Sequence, residues 1–355
     1  MPLRRLPPIS STLFSDLQDL CVTPQKQSQE TESNQEKESQ ENEQARDAKP
    51  RHAEPIHWES YECLLVTPLF GGGVVAGQVD QRMPIRASAI RGQLRFWWRL
   101  LASKRLGNNV NAIRQEEFAL WGGLGTPPQA SRVWVEVRHN ESPKLTAAKN
   151  INSYALAGAD RKPGDILYCQ STWHLYIGFE RSHLTSAQCN QVMEAVQWWA
   201  NFGGVGARTR RGFGCLIIPQ CELLTPKEVE SKLSGKLVFS LMKFDTAFVA
   251  WEHAIAALKV KGKKIENRQG YLGPERQASQ VILRVRPTQD EKWQSLALML
   301  PTVKNAKEAS EFLKALSHFR LKDSSISTAL AKSKKETSNL MQTCHVLLKK
   351  YQTKS

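Results

Sequence analysis

Apolar and polar positions along residues 57–220 alternate with two different periods, one typical of strands and one typical of helices. Runs of β type predict four strands, at residues 61–67, 131–138, 166–179 and 214–220. Helical spacing predicts one helix over 86–107, which ends at Gly107, and another over 185–203, which begins with a Thr or Ser cap. The predicted elements therefore follow one another in the order β-α-β-β-α-β.

This order is that of a ferredoxin-like, or RRM-like, unit. The second half of the chain repeats it less regularly, with a strand at 236–242, a helix at 245–260 capped by Asp245, and a hairpin over 280–287 and 293–300. Two helical stretches follow, at 305–321 and 326–352. We therefore predict an α+β protein of two tandem ferredoxin-like units, the second of them divergent and followed by a helical C-terminal tail.

Residues 25–54 interrupt the apolar pattern, because their only apolar residues are three alanines. Such a segment cannot bury enough surface to offset the entropy lost on ordering, so we predict a disordered polar linker there. The expected domains are a short N-terminal head at 1–24, the linker at 25–54, a first ferredoxin-like domain at 55–220, and the second with its tail at 221–355.

The charge of the chain points to a polyanionic partner. The 355 residues carry a net charge of +15, and because the linker carries −3, the rest of the chain carries +18. Such a surplus favours nucleic acid as the partner. No apolar run approaches the ~18–20 residues of a membrane span, so we expect no membrane partner. Seven cysteines without a CxxC pair, and a start without the apolar core of a signal peptide, predict a cytoplasmic protein.

The helix predicted at 86–107 presents two distinct faces on a helical wheel. Its core stripe contains the apolar residues Ile90, Leu94, Trp97 and Leu101. Its basic ridge, spaced four residues apart, contains Arg91, Arg95 and Arg99. Gly92 lies beside the ridge and Trp98 lies between ridge and stripe. Like charges at this spacing repel one another unless an anion neutralises them. Arginine for phosphate and an aromatic ring for base stacking predict single-stranded nucleic acid at this face.

The stretch GGVGARTRRGFG, at residues 203–214, holds five glycines and three arginines. It is not a nucleotide-binding P-loop, because no GK[ST] ends it and it leads into a predicted strand. The dinucleotide fingerprint is excluded for the same reason. Glycine allows close approach of the backbone to a partner. The stretch therefore predicts a flexible cationic clamp whose backbone N–H groups and Arg208, Arg210 and Arg211 grip a phosphodiester backbone.

Four stretches together resemble a known family: VTPLFGGG (66–73), IRASAIRGQLRFWWRLL (85–101), FALWGGLG (118–125) and the glycine-rich loop. They are similar to the first-named subunit of the type III-B CRISPR Cmr effector complex, in the RAMP superfamily. The resemblance covers about residues 57–220, and GPERQASQVILRV (273–285) resembles a stretch of the family's second half.

The resemblance implies two ferredoxin-like folds in tandem at the end of a ribonucleoprotein, near the 3′ end of the CRISPR RNA. There the protein would position the CRISPR RNA and help to capture target RNA for antiviral defence, with CRISPR RNA, target RNA and other Cmr subunits as partners. On the helix, the implied RNA-facing residues are Arg86, Ser88, Arg91, Gly92, Arg95, Trp97, Trp98 and Arg99. On the loop they are Gly203, Gly204, Gly206, Arg208, Arg210, Arg211, Gly212, Phe213 and Gly214. The wheel places Trp97 in the core, so Trp98 is the better stacking candidate.

The same sequence predicts no catalytic residue, no metal site and no cofactor. Metal-free RNA cleavage needs a general base, but each candidate is isolated and lies outside the arginine-rich motifs: His57, His174, His183 and His253. Glu116 and Glu117 lie in a plain helical stretch, so paired carboxylates for two-metal chemistry are missing near the motifs. We therefore predict a non-catalytic RNA-binding subunit. The alternatives are a RAMP endoribonuclease that processes CRISPR RNA without metal, and a basic scaffold whose charge serves assembly alone.

Overall fold

The computed structural model describes residues 56–75, 77–139, 145–147, 155, 165–167, 171–265, 281–300 and 316. The predicted head at 1–24 and linker at 25–54 lie outside these residues, as do residues 273–280. The predicted C-terminal helices also lie outside them, apart from Leu316, which is helical and buried.

The first sheet is built from four strands, β1 (His57–Leu65), β3 (Val133–His139), β6 (Thr172–Phe179) and β7 (Leu216–Ile217). Their spatial order is β3-β6-β1-β7, and every neighbouring pair is antiparallel. Alternate side chains of a strand point to opposite faces, so Trp173, Leu175 and Ile177 of β6 share the buried face.

Four helices accompany this sheet, α1 (Ala87–Arg105), α2 (Val110–Trp121), α3 (Ser186–Phe202) and α4 (Pro226–Leu233). The predicted cap of α3 is confirmed, since the Thr185 hydroxyl accepts a hydrogen bond from the backbone N–H of Gln188 in a capping box. Helix α4 was not predicted, although it begins with a second capping box, formed by Thr225 and Glu228.

The second half forms a three-stranded antiparallel sheet in the order β8-β10-β9, from β8 (Lys236–Phe244), β9 (Val281–Pro287) and β10 (Trp293–Met299). Helix α5 (Ala247–Ile265) packs on it. The predicted strand, helix and hairpin are confirmed, as is the α+β class. The predicted Asp245 cap is wrong, because the Thr246 hydroxyl accepts from the N–H of Val249 while Asp245 pairs with Lys292.

The predicted strand over 166–179 is wrong as a single element. The structure places its first part in β5 (Asp165–Leu167) and its second in β6. Strand β5 lies between β2 (Leu69–Phe70) and β4 (Leu145–Ala147) in a separate small sheet. An apolar pattern shows that a stretch is extended, but it does not show which strand the stretch pairs with. The sequence therefore carries no signal that residues 165–167 and 172–179 pair with different strands.

Two apolar cores meet near the glycine-rich loop. One core lies between the first sheet and helices α1 and α3, and it includes Trp97 and Trp199. The other joins the end of the loop to the second sheet and α5, and it includes Phe213, Trp251 and Leu283. The loop therefore lies where the two halves of the chain pack together.

Candidate nucleic-acid interface

Three segments that are distant in sequence meet at one surface: the turn at 71–73, the start of α1 and the glycine-rich loop. A Cβ atom placed on Gly72 would lie 3.2 Å from the Cα of Gly206. The guanidinium of Arg86 donates to the Gly72 carbonyl, and the N–H of Ala207 donates to the Phe70 carbonyl at 2.6 Å. We name this the glycine–arginine surface and define it by Gly71, Gly72, Arg86, Ser88, Gly206, Arg208, Arg210 and Arg211.

The glycine-rich loop has a defined conformation built from internal hydrogen bonds. Gly212 and Gly214 adopt φ of +78° and +62°. The N–H of Val205 donates to the Gly214 carbonyl at 3.0 Å, and the N–H of Gly212 donates to the Thr209 carbonyl at 3.0 Å. The N–H of Gly214 donates to the Pro68 carbonyl at 2.8 Å. The N–H groups of Val205, Gly212 and Gly214 therefore bind carbonyls of the protein, and these three are not the backbone donors that the predicted flexible clamp requires.

Several loop residues that were expected to face RNA are buried. They are Gly203, Gly204, Gly212, Phe213 and Gly214. The ring centroid of Phe213 lies 4.8 Å from that of Trp251 on α5, whose indole N–H donates to the Arg211 carbonyl at 2.8 Å. The prediction that these five residues contact RNA is therefore corrected, because their burial leaves little surface for a contact. Gly212 and Phe213 pack the loop against Trp251 of the second half. The other three glycines lie against α3 or against the loop itself, where a larger side chain has no room.

The loop arginines are half-buried and lie against the surface. Arg208 and Arg211 each donate from Nη1 to the Ala155 carbonyl at 3.1 Å. The guanidinium of Arg210 lies 5.7 Å from the ring centroid of Phe96, which belongs to α1. Burial lowers the pKa of Arg208 and Arg210, and the neighbouring charge of Arg211 lowers that of Arg208 further. Two guanidinium groups on one neutral carbonyl concentrate positive charge at this point.

The basic ridge of α1 is neutralised in part by Glu117 of α2. Arg95 Nε lies 2.7 Å from Glu117 Oε1, and Arg99 Nε lies 2.8 Å from Glu117 Oε2. Glu116 pairs with Arg105, Nη2 to Oε2, at 2.6 Å. The description of these glutamates as a plain helical stretch is therefore corrected. The sequence carried no signal for this contact, since the pairing depends on how α2 packs across α1.

The remaining ridge positions differ in exposure. Arg91 donates to the Trp121 carbonyl, and its guanidinium lies 5.8 Å from the Trp121 ring centroid, where burial lowers its pKa. The Arg99 side chain remains 47% exposed despite its ion pair. Gly92 and Ser88 are exposed, and a Cβ atom on Gly92 would meet nothing within 4 Å. The ridge thus keeps an open side along which a chain of phosphates can approach.

Both tryptophans of the FWWR stretch are buried, each with 1% of its surface exposed. Trp97 stacks on Trp198 with a centroid distance of 6.1 Å, so its place on the core stripe is confirmed and its role as an RNA contact is corrected. Trp98 as a base-stacking residue is wrong. A helical wheel gives only the direction of each side chain around its own helix. In the structure α3 and α4 both pack against α1, so more than one side of α1 is covered.

The four candidate histidines have other contacts. His57 lies 2.9 Å from Glu59, His183 lies 3.4 Å from Glu180, His174 stacks on Tyr176, and buried His253 hydrogen-bonds Ser295 at 3.1 Å. Within the described ranges, no three His, Cys, Asp or Glu residues are grouped so that they could hold a metal ion. No helix in the described part of the chain is long and apolar enough to cross a membrane.

The Glu117 ion pairs predict a dependence of stability on pH. Burial disfavours the charged carboxylate, but the hydrogen bonds from Arg99 and Arg95 outweigh it and lower the pKa of Glu117 below 4.5. The stability from this carboxylate is therefore complete above its unfolded pKa and lost as pH falls through the lower native pKa. We expect Glu117→Gln to lower Tm at neutral pH and the deficit to shrink in acid, measured by circular dichroism.

Glu116→Gln is the matched control, because Glu116 also pairs with an arginine but is about one-third exposed. Its Tm should change little at any pH, since exposed ion pairs contribute little to stability. A deficit for Glu117→Gln that stayed constant with pH would contradict the role assigned to the carboxylate.

This chain is similar to a known superfamily of proteins and to solved structures. The sequence model of the RAMP superfamily matches residues 62–217, which contain the first sheet, α1, α3 and the loop. The resemblance to RAMP proteins is therefore confirmed over this region.

The chain is similar in sequence to one Cmr1 protein and in fold to another. The chain is 27% identical over 177 residues to the CRISPR system Cmr subunit Cmr1-2 of Pyrococcus furiosus, covering 43% of this chain and 90% of the relative. The crystal structure of apo Cmr1 from Pyrococcus furiosus matches with a TM-score of 0.53 at 16% identity, over 74% of this chain and 96% of that one. A chain of the type III-B Cmr-beta complex bound to cognate target RNA matches with a TM-score of 0.52 at 12% identity, over 75% and 99%. At these identities the structural matches report the fold.

Proposed function

We propose that this chain is the Cmr1-like subunit of a cytoplasmic type III-B CRISPR ribonucleoprotein. It binds CRISPR RNA near its 3′ end and helps to capture target RNA, together with other Cmr subunits. The observation that carries the proposal is the glycine–arginine surface, where the turn at 71–73, Arg86 and the arginine loop converge. The identity of the relatives supports the choice of complex.

The proposal includes two tandem ferredoxin-like units, at 55–220 and 221–355. The strand order β3-β6-β1-β7, with α1 and α3 on one face, supports the first unit. The β-α-β-β order of β8, α5, β9 and β10 supports the second. Arg284 of β9 supports the joint between them, because this buried side chain donates to the carbonyls of Phe202 and Thr209.

The proposed RNA contacts are the polar residues that keep some exposure on this side. They are Arg86, Ser88, Arg91, Gly92, Arg95, Arg99, Gly206, Arg208, Arg210 and Arg211. Arginine suits phosphate because its planar fork of donors matches two phosphate oxygens. Ser88 and Gly92 leave the first turns of α1 free of bulky side chains, so that a strand can approach the arginines.

The subunit acts by binding, without cleaving RNA. The support is that each of the four candidate histidines has another partner and that none belongs to the glycine–arginine surface. Incubating the purified chain with CRISPR repeat RNA in the absence of metal tests this point. Intact RNA is the expected result, and cleavage would favour a metal-independent endoribonuclease.

Replacing Arg208, Arg210 and Arg211 by alanine tests the surface directly. Each phosphate contact contributes about −0.7 to the slope of log K against log salt for a single strand. Three lost contacts should therefore flatten the slope by about two units. Fluorescence anisotropy with single-stranded repeat RNA over a salt series measures it, and circular dichroism checks the fold.

Two further variants interpret the result. The triple Arg→Lys change keeps the charge and should keep most of the slope. Alanine at Arg181, Lys227 and Lys236, which are exposed and lie outside the surface, should change it little. An unchanged slope in the loop variant, or an equal loss in this control, would contradict the glycine–arginine surface and favour a basic scaffold.

A further inference from the structure

Arg284 is a buried arginine of the second half whose side chain reaches the glycine-rich loop. It lies on β9 and is 3% exposed. Its Nη1 donates to the carbonyls of Thr209 and Leu283, and its Nη2 donates to the carbonyl of Phe202. Among the described residues no carboxylate pairs with it. The guanidinium therefore binds backbone carbonyls of the loop and of the helix that precedes it.

The contact with Phe202 explains how this charge can be buried without a carboxylate. Phe202 is the last residue of α3, and the last carbonyls of a helix have no partner within the helix. They also form the negative end of the helix dipole, which stabilises a cation. Burial still lowers the pKa of Arg284, an effect that Cys215 opposes and the charge of Arg210 adds to. Because a buried guanidinium is costly to desolvate, its contacts with these carbonyls hold both sides in place.

The contact with Thr209 lies beside the least favourable backbone conformation of the loop. Thr209 stands between Arg208 and Arg210, and Arg208 has a φ of +57°. This left-handed conformation costs free energy in any residue that has a Cβ atom. Such a residue keeps its conformation only where the surrounding contacts determine it. Arg284 supplies one of these contacts, because it fixes the peptide group that joins Thr209 to Arg210.

We infer that Arg284 is a positioning residue for RNA binding. By holding the carbonyls of Phe202 and Thr209 together, it keeps the loop in the conformation that presents the loop arginines to phosphate. Arg284 itself does not contact RNA, because it is buried. The role in RNA binding rests on the proposed function, whereas the ordering of the loop rests on the contacts alone. The second half of the chain thus sets the RNA affinity of a loop that belongs to the first.

Hydrogen exchange of the full chain, followed by mass spectrometry, tests the ordering of the loop without RNA. Arg284→Gln removes the charge, and Arg284→Lys keeps the charge but lacks the planar fork of donors. In both variants the peptides that cover residues 203–214 should exchange about tenfold faster, because the loop opens locally. Arg286→Gln is the matched control, since Arg286 lies on the same strand with its guanidinium 3.7 Å from the Phe239 ring centroid. Its loop should exchange as in the wild type.

Fluorescence anisotropy with single-stranded repeat RNA tests the role in binding. Both Arg284 variants should bind about tenfold more weakly, the loss expected for one charge-assisted hydrogen bond to phosphate. Arg286→Gln should bind almost as well as the wild type. In the triple alanine variant of the loop arginines, Arg284→Gln should weaken binding no further, because no arginine is left to position. An equal further loss in that variant would indicate a merely structural role and contradict the inference.

A further measurement needs no variant. Exchange of the wild-type chain over a urea series should show the loop and β9 opening at the same urea concentration, because Arg284 joins them. Three outcomes would overturn the inference: unchanged loop exchange in both Arg284 variants, a loop that opens in less urea than β9, or RNA affinity retained by Arg284→Lys. Faster loop exchange in both variants, with no RNA binding by the wild type, would refute the proposed function and leave only the ordering of the loop by Arg284.

Discussion

Replacing Trp97 by alanine is expected to lower the free energy of unfolding by about 3–5 kcal/mol. The side chain is 1% exposed and fills the core between α1 and α3, where its ring centroid lies 6.1 Å from that of Trp198 and 6.0 Å from that of Phe202. Alanine would leave a cavity that rigid neighbouring rings cannot close. Urea unfolding followed by circular dichroism measures the loss.

Trp98→Ala should fall in the same range of about 3–5 kcal/mol, because Trp98 is as deeply buried as Trp97. Trp58→Ala is the control, since Trp58 is 41% exposed on β1 and its truncation removes much less buried surface. A stable Trp98→Ala protein that failed only in RNA binding would contradict this assignment. It would restore the sequence-based view of Trp98 as a stacking residue.

Gly214→Ala should destabilise the protein by about 3 kcal/mol or more, the sum of a left-handed backbone and overpacking. Gly214 has φ of +62°, and a Cβ atom there would lie 1.9 Å from the Val205 carbonyl oxygen. Relief of that contact would disturb the hydrogen bonds that Gly214 makes with Val205 and Pro68. Thermal and urea unfolding of the variant measure the effect.

Gly92→Ala is the control for Gly214→Ala, because the same substitution should raise stability here instead of lowering it. Gly92 lies within α1 with nothing near its missing Cβ atom, so alanine should stabilise the protein by about 0.5–1 kcal/mol. If Gly214→Ala were as stable as the wild type, the loop would be flexible, as the sequence suggested, and its internal hydrogen bonds would not matter. If RNA passes close to Gly92, the stable Gly92→Ala protein should also bind it less well.

The sequence by itself determined the features that depend on local spacing. The periodicity of the apolar residues located α1, α3 and most strands of both halves, and it placed Ile90, Leu94 and Trp97 on the buried side of α1. The Thr185 cap was equally readable, because a capping box involves residues only three positions apart. Each of these signals depends only on residues within one helix or strand or directly beside it.

Only the tertiary structure decided what each element touches. It showed that Glu117 neutralises Arg95 and Arg99, that Trp98 is buried, and that the loop glycines make internal turns between two cores. The partners in these contacts are brought together by packing, and the periodicity of one helix or strand carries no information on its neighbours. The sequence therefore located the arginines, and the packing of α2 across α1 determined which charges of the ridge are neutralised.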